Sequence, residues 1–180
     1  MGGEVDGARL EEWALSYLTR FASSEEGLRR VLMRRARRFL GADRTALAAV
    51  SEAVDALLAR YRETGLLDDA AYAEGRARSL FRRGASSAAI AHALRAKGIE
   101  RALVYRALDA LKSEDPEPDL AAASAYARRR RLGPFRRAAA DPARERRSFA
   151  RAGFDRRTAE AVLACRDAQE IERLLRERER

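Results

Sequence analysis

Residues 86–108 are echoed 55 positions further along the chain. Laying one copy on the other puts Ser86 on Asp141, Leu94 on Phe149, Gly98 on Gly153, Ile99 on Phe154, Glu100 on Asp155 and Leu108 on Leu163. Each pair has one local role. In order these are a helix cap, a core side chain, a glycine stop, an apolar residue after the stop, an acidic helix start and a second core position. A shift of 62 brings in an earlier copy, with Ser24 on Ser86 and Leu32 on Leu94. There the glycine position is Ala36, and an Arg-rich insertion follows through about Gly41. A chain built of short helical copies buries little within each copy, so stacking of neighbours has to supply the core.

The periodicity inside the copies is helical. Leu10, Trp13, Tyr17, Leu18 and Phe21 recur at helical spacing, as do Leu28, Val31, Leu32, Phe39 and Leu40, and then Leu47, Val50, Val54, Leu57, Leu58 and Tyr61. Ser23 or Ser24 caps the second of these, with Glu25 and Glu26 where the helix dipole favours acids. Asp68 or Asp69 caps a helix carrying Tyr72, Ala77, Leu80 and Phe81, and Ser86 or Ser87 caps a short one with Ile90 and Leu94. Leu103, Val104, Ala107, Leu108 and Leu111 form a further face. The third set begins near Asp119, breaks at Gly133-Pro134, and restarts at Asp141-Pro142, with proline at the tolerated first helical position. Only thirteen residues are Val, Ile or Thr, while Ala, Leu, Arg and Glu dominate. The expected fold is all-α, three tandem three-helix repeats stacked into an elongated, curved body.

The expected units are 1–63, which includes the Arg-rich insertion, 64–112 and 119–165. Residues 113–118 are acidic, contain Pro116 and Pro118, and read as a linker. Residues 166–180 alternate Arg and Glu around Ile171, Leu174 and Leu175, a salt-bridged helix or a frayed end, with partial order expected.

The chain has a formal net charge of +9 and a pI near 10.6, a field that attracts polyanions. Only two of its 37 basic residues are Lys, a skew that codon usage could partly produce, but the net charge survives that objection. Cys165 is the only cysteine and His92 the only histidine. These cannot form an internal disulfide, a zinc cluster or a Cys-His nucleophile pair. Cys165 falls on an apolar pattern with Ala161 and Val162 and reads as core; His92 reads as a helix-surface residue. Asp68 and Asp69 read as caps rather than acid-base catalysts. Without a phosphate loop, a basic-then-apolar leader or a long apolar run, the chain reads as a cytoplasmic binding protein, not an enzyme, with no cofactor and no membrane partner.

The candidate binding residues are cationic. Arg78 and Arg82 lie one helical turn apart, with Arg83 beside them and Arg76 on the same helix. Arg95 and Lys97 close the next helix. The run Arg128, Arg129 and Arg130, continuing to Arg131, covers more than a turn and cannot all be buried; Arg151 precedes the second glycine stop. Arg suits such work because its planar fork pairs bidentately with carboxylate and phosphate.

The order of these signals resembles the RecX family of bacterial recombinase regulators. The residues that carry the resemblance are Tyr61-x3-Gly65-Leu66-Leu67-Asp68-Asp69-x2-Tyr72-Ala73, then Arg78-x3-Arg82-Arg83-Gly84, then Leu94-x2-Lys97-Gly98-Ile99. Phe149, Arg151, Gly153 and Phe154 look like the family's L-x-R-x-G-F element, and Tyr17-Leu18-x-Arg20-x3-Ser24-x3-Leu28 like its start. The resemblance covers about residues 10–165, most of the chain. The first unit departs from the pattern over residues 34–45, where the Gly-Phe stop is missing. The resemblance implies a monomer that binds the RecA recombinase and its DNA filament, inhibits its ATPase and strand exchange, and so modulates recombination and the SOS response. Weak, non-specific contact with single- or double-stranded DNA through the basic surface is expected whichever reading holds.

The alternative is a basic helical DNA-binding protein of helix-turn-helix type with no recombinase partner. Residues 86–108 do read helix, Gly turn, helix. That motif usually has a small residue four places before the glycine, where two helices cross closely, and here Leu94 and Phe149 stand there.

Overall fold

The computed structural model describes residues 5–115, 117–137, 139 and 141–178. Every regular element among them is helical, and none is a strand. In chain order the helices are α1 (Gly7–Leu18), α2 (Glu25–Leu40), α3 (Arg44–Glu63), α4 (Asp69–Phe81), α5 (Ser87–Ala96), α6 (Arg101–Glu114), α7 (Pro118–Arg130), α8 (Pro142–Arg151), α9 (Arg156–Ala164) and α10 (Ala168–Arg178). A 3₁₀ turn, Gly133–Phe135, lies between α7 and α8. Helix α6 runs through Glu114 and α7 opens at Pro118; Pro116 lies outside the described residues, as do the first four residues of the expected first unit and the last two of the tail.

By contacts the chain divides into two compact units, Met1–Ala73 with Lys97–Glu100, and Glu74–Ala96 with Arg101–Arg180. In the first, α1, α2 and α3 bury Leu10, Leu28, Leu32, Val54 and Leu58 against one another. Each helix starts on a side-chain cap: Asp6 accepts from the Arg9 N–H, Ser24 from Gly27 and Asp43 from Ala46. Phe21 falls three residues beyond the end of α1, leaves the apolar face its spacing implied, and is 54% exposed with its ring against Tyr17.

A joint inside this unit explains why the chain repeats. The Ser24 hydroxyl is fully buried and donates to the Lys97 carbonyl at 2.6 Å. The Glu25 N–H, an orphan donor in the first turn of α2, is taken by Asp69 at 2.8 Å. Gly98 sits against Glu26 at a φ of +80°, and a Cβ built there would lie 2.4 Å from the Glu26 Cβ. Glycine is required twice over, by backbone conformation and by space.

The second unit contains the same joint, built from the next copy. Ser86, also fully buried, donates to the Ala152 carbonyl at 2.8 Å, and Asp119 accepts from the Ser87 N–H at 2.7 Å. Gly153 has a φ of +83°, and a Cβ there would come within 2.7 Å of the Ser86 hydroxyl. The end of α8 is a Schellman motif, with the Phe154 N–H on the Phe149 carbonyl and the Gly153 N–H on the Ala150 carbonyl. Around it, Tyr126, Phe149 and Phe154 meet with ring centroids 5.4 to 5.7 Å apart. Phe149 is completely buried, worth about 2–3 kcal/mol in transfer free energy. The small residues Ala122, Ala123 and Ala127 let α7 approach this cluster.

The two joints bear out the tandem repeat and show what the copied serines and glycines are for. Leu32, Leu94 and Phe149, which the two shifts place in register, are all completely buried. After Cys165, the salt-bridged helix is the alternative observed. In α10, Ile171 is buried, and Arg166 and Arg173 both reach Glu170. Cys165 is half-buried at the end of α9, and His92 is exposed on α5.

Candidate partner-binding surface

The candidate cations fall into distinct settings. On α4, Arg78 is committed to the chain itself: its guanidinium meets Glu114 at 2.9 Å and Glu74 at 3.6 Å. The hydrogen bond it donates to Glu114 raises its pKa above the ordinary Arg value. Such solvent-screened pairs are weak, so a stronger anionic partner can displace them. Arg82 is exposed and forms no ion pair among the described residues. Arg83 is exposed and folds back on Ser79, donating to its hydroxyl at 2.7 Å. Arg76 is half-buried, and its Nε is buried with no hydrogen-bond partner.

Arg95 and Lys97 are both exposed. The Lys97 side chain is free to meet a partner while its carbonyl is held by Ser24. The two aspartates before α4 divide the labour: Asp68 caps its own helix through the Ala70 and Ala71 N–H groups, while Asp69 serves Glu25. Burial holds the Asp69 carboxyl above the ordinary aspartate range; the Glu25 N–H works the other way, and the neighbouring Asp68 charge adds to the rise.

The structure brings two of the candidate groups together. Gly84, at a φ of +74°, lets the chain after α4 pass close to α7, where a Cβ would lie 3.0 Å from the Ala122 carbonyl. Arg129 donates to the Arg83 carbonyl from the other side. Arg82, Arg83 and Arg129 thus lie at one place. Arg128 stacks over Phe135, 4.9 Å from the ring centroid, and Arg129 over Tyr126 at 5.8 Å.

Arg129, Arg130 and Arg151 line a cleft of about 580 Å³ formed by the end of α7, the following loop and α8. Four further arginines line it that sequence reasoning did not single out as contacts: Arg131, Arg136, Arg137 and Arg144. Three of them, Arg131, Arg136 and Arg137, lie in the segment between α7 and α8, where no period marks a face. A local charge count would have found them. Among the described residues no group of His, Cys, Asp and Glu could hold a metal ion. None of the described helices is long and apolar enough to cross a membrane.

Comparison with known proteins places this geometry. Residues 68–108 match the family model described as RecX, second three-helix domain. The chain is 38% identical over 167 residues to the Regulatory protein RecX of Myxococcus xanthus (strain DK1622), covering 89% of this chain and 87% of that protein. It is 40% identical over 101 residues to the Regulatory protein RecX of Agrobacterium fabrum (strain C58 / ATCC 33970), covering 54% and 52%. A crystal structure of regulatory protein RecX shares the fold, with a TM-score of 0.62 at 22% identity, over 91% of this chain and 80% of that one.

Proposed function

Because the chain belongs to the RecX family of regulatory proteins, we propose that it binds the RecA recombinase on its DNA filament and inhibits ATP hydrolysis and strand exchange there. It would thereby modulate recombination and the SOS response, as a monomer in the cytoplasm and without catalytic chemistry of its own. The observation that carries this reading is the family relationship over nine-tenths of the chain, joined to a surface whose exposed cations are nearly all arginine.

The physical argument supports it. Copied units, taken as 1–63, 64–112 and 119–165, present similar surfaces at intervals, which suits a partner that is itself a repeating filament. Several weak contacts on one chain add through effective concentration. Arg76, Arg78, Arg82, Arg83, Arg95, Lys97, Arg128, Arg129, Arg130 and Arg151 are the proposed contacts to protein carboxylates or DNA phosphates. The helix-turn-helix alternative gains nothing from the packing, since Leu94 is wholly buried in the core where that motif wants a small residue. A pull-down against RecA, with and without single-stranded DNA and a non-hydrolysed ATP analogue, tests the proposal. Retention that requires the assembled filament is expected; no retention under any condition contradicts it.

A further inference from the structure

Between Arg128 and Arg151 the chain holds ten arginines against two acids, a net of +8, while the whole chain carries +9. Nearly all the uncompensated charge of the molecule is therefore in 24 consecutive residues. The fold concentrates it further by bending this segment around the cleft between the end of α7 and α8. Both acids in the cleft have internal duties. Asp141 caps α8 through the Arg144 N–H, and Glu145 is buried, accepting from the Gly133 N–H at 3.0 Å and pairing with Arg136. Arg130, Arg131, Arg137, Arg144 and Arg151 form no ion pair among the described residues.

The repeat explains why a cleft stands here. In the first two copies this position is a joint, built on the Ser24 or Ser86 hydroxyl and the N–H that follows it. In the third copy the equivalent residues are Asp141 and Pro142. An ionised carboxylate has no proton to give a carbonyl, and proline has no N–H to give an aspartate. The connection before α8 is also longer. Asp69 and Asp119 are 50 residues apart, while Ser86 and Asp141 are 55 apart, so five residues are added between the first and second helices. The third copy lacks the groups that hold the following copy in the first two joints, and an arginine-lined cleft stands beside those positions.

We propose that this cleft is a binding site for the phosphodiester backbone of a single nucleic-acid strand, with Arg130, Arg131, Arg137, Arg144 and Arg151 as its phosphate ligands. It deepens the filament-binding reading above by naming where the DNA strand is held. A protein segment is the weaker fit, because interfaces between proteins bury an apolar centre. Here Leu132 and Ala139 are the only apolar residues among the described residues that line the cleft. No aromatic ring is among the described residues that line it, so aromatic base stacking is not what holds the strand and phosphate contact is. Its volume of about 580 Å³ lies in the range of ligand clefts and can take a short stretch of one strand laid along it. A duplex, thick and convex, fits a cleft of this size less well than a single strand.

The test uses the full chain alone and a labelled 20-nucleotide DNA strand, with affinity measured by fluorescence anisotropy from low to moderate salt. Substituting Arg137→Gln, Arg144→Gln and Arg151→Gln together should flatten the slope of log affinity against log salt by about 2, since each phosphate contact on a single strand contributes roughly 0.7. The matched loss of three exposed arginines elsewhere, Arg20→Gln, Arg44→Gln and Arg106→Gln, should flatten it much less. Equal flattening in both variants would mean that only the general field attracts DNA, and would overturn the site. So would an unchanged slope in the cleft variant, tighter binding of a duplex of the same length, or displacement of the strand by poly-glutamate at equal charge concentration. If the triple variant loses its helical signal, the single Arg137→Gln and Arg144→Gln variants replace it, each expected to flatten the slope by about 0.7. The recombinase is absent from this assay. A parent chain that binds the strand but leaves the recombinase uninhibited would count against the reading above, and a parent that inhibits while its cleft variant keeps the parent's salt slope would count against this site.

Discussion

The Ser24 hydroxyl donates to the Lys97 carbonyl 73 residues away, at 2.6 Å, and the same Ser24 oxygen accepts the Gly27 N–H at 3.0 Å. One side chain therefore caps α2 and fixes Lys97–Glu100 against it. Ser86 repeats both functions, toward Ala152 and Ala89.

Removing either hydroxyl should be expensive for so small a change. Ser24→Ala loses an N-cap, typically about 1 kcal/mol, and strands a buried carbonyl, a further 1–3 kcal/mol or so. Ser86→Ala should behave alike. Ser23→Ala, whose hydroxyl caps nothing, should stay within about 0.5 kcal/mol of the parent. Urea unfolding of the three variants measures the difference, and equal midpoints would count against the joint.

Glycines that share a positive φ should differ in cost according to what surrounds them. Gly41→Ala, at a φ of +65° with open space around it, should cost only the backbone term, about 1 kcal/mol. Gly153→Ala adds a 2.7 Å contact with the Ser86 hydroxyl, and Gly98→Ala adds one at 2.4 Å with the Glu26 Cβ. The expected order of destabilisation is Gly98, then Gly153, then Gly41, read from thermal melts. Pairing Gly98→Ala with Ser24→Ala should be less than additive, because both break one joint.

Asp69 predicts a pH dependence. Its folded-state pKa is raised, with burial the largest cause, so folding favours the protonated acid. Its contribution to stability is complete below the unfolded-state pKa and is lost as pH rises through the folded one. Asp69→Asn keeps an acceptor for the Glu25 N–H and cannot ionise. Relative to the parent, it should be more favourable at pH 7 than at pH 3. A difference that stays flat across that range in denaturant melts would refute the assignment.

The Arg face of α4 should be dispensable for folding. Arg82→Ala together with Arg83→Ala removes exposed groups whose only fixed contacts are to Ser79, so stability should move by about 0.5 kcal/mol or less per site. Filament binding should weaken at least several-fold with helical content unchanged. Intact binding would remove this face from the partner surface.

The chain announced its repeats because core positions such as Leu32, Leu94 and Phe149 carry both periodicity and chemistry. It also showed that Gly98 and Gly153 stop helices, since a glycine followed by an apolar residue is a local signal. The joints were not legible. Asp68 and Asp69 look the same as caps in sequence, and only the fold, by placing Glu25 44 residues away against one of them, assigns them different partners. Phe21 misled for the same reason, because spacing marks an apolar face but not where α1 ends. The cleft arginines lie partly in a loop without period, so their convergence on one cavity emerges only in three dimensions.

Hydrolysis of ATP by RecA on single-stranded DNA, followed as this chain is titrated in, tests the central claim most directly. The account predicts a progressive fall in the hydrolysis rate at or below one chain per recombinase subunit. A rate unchanged by a molar excess of folded chain would contradict it.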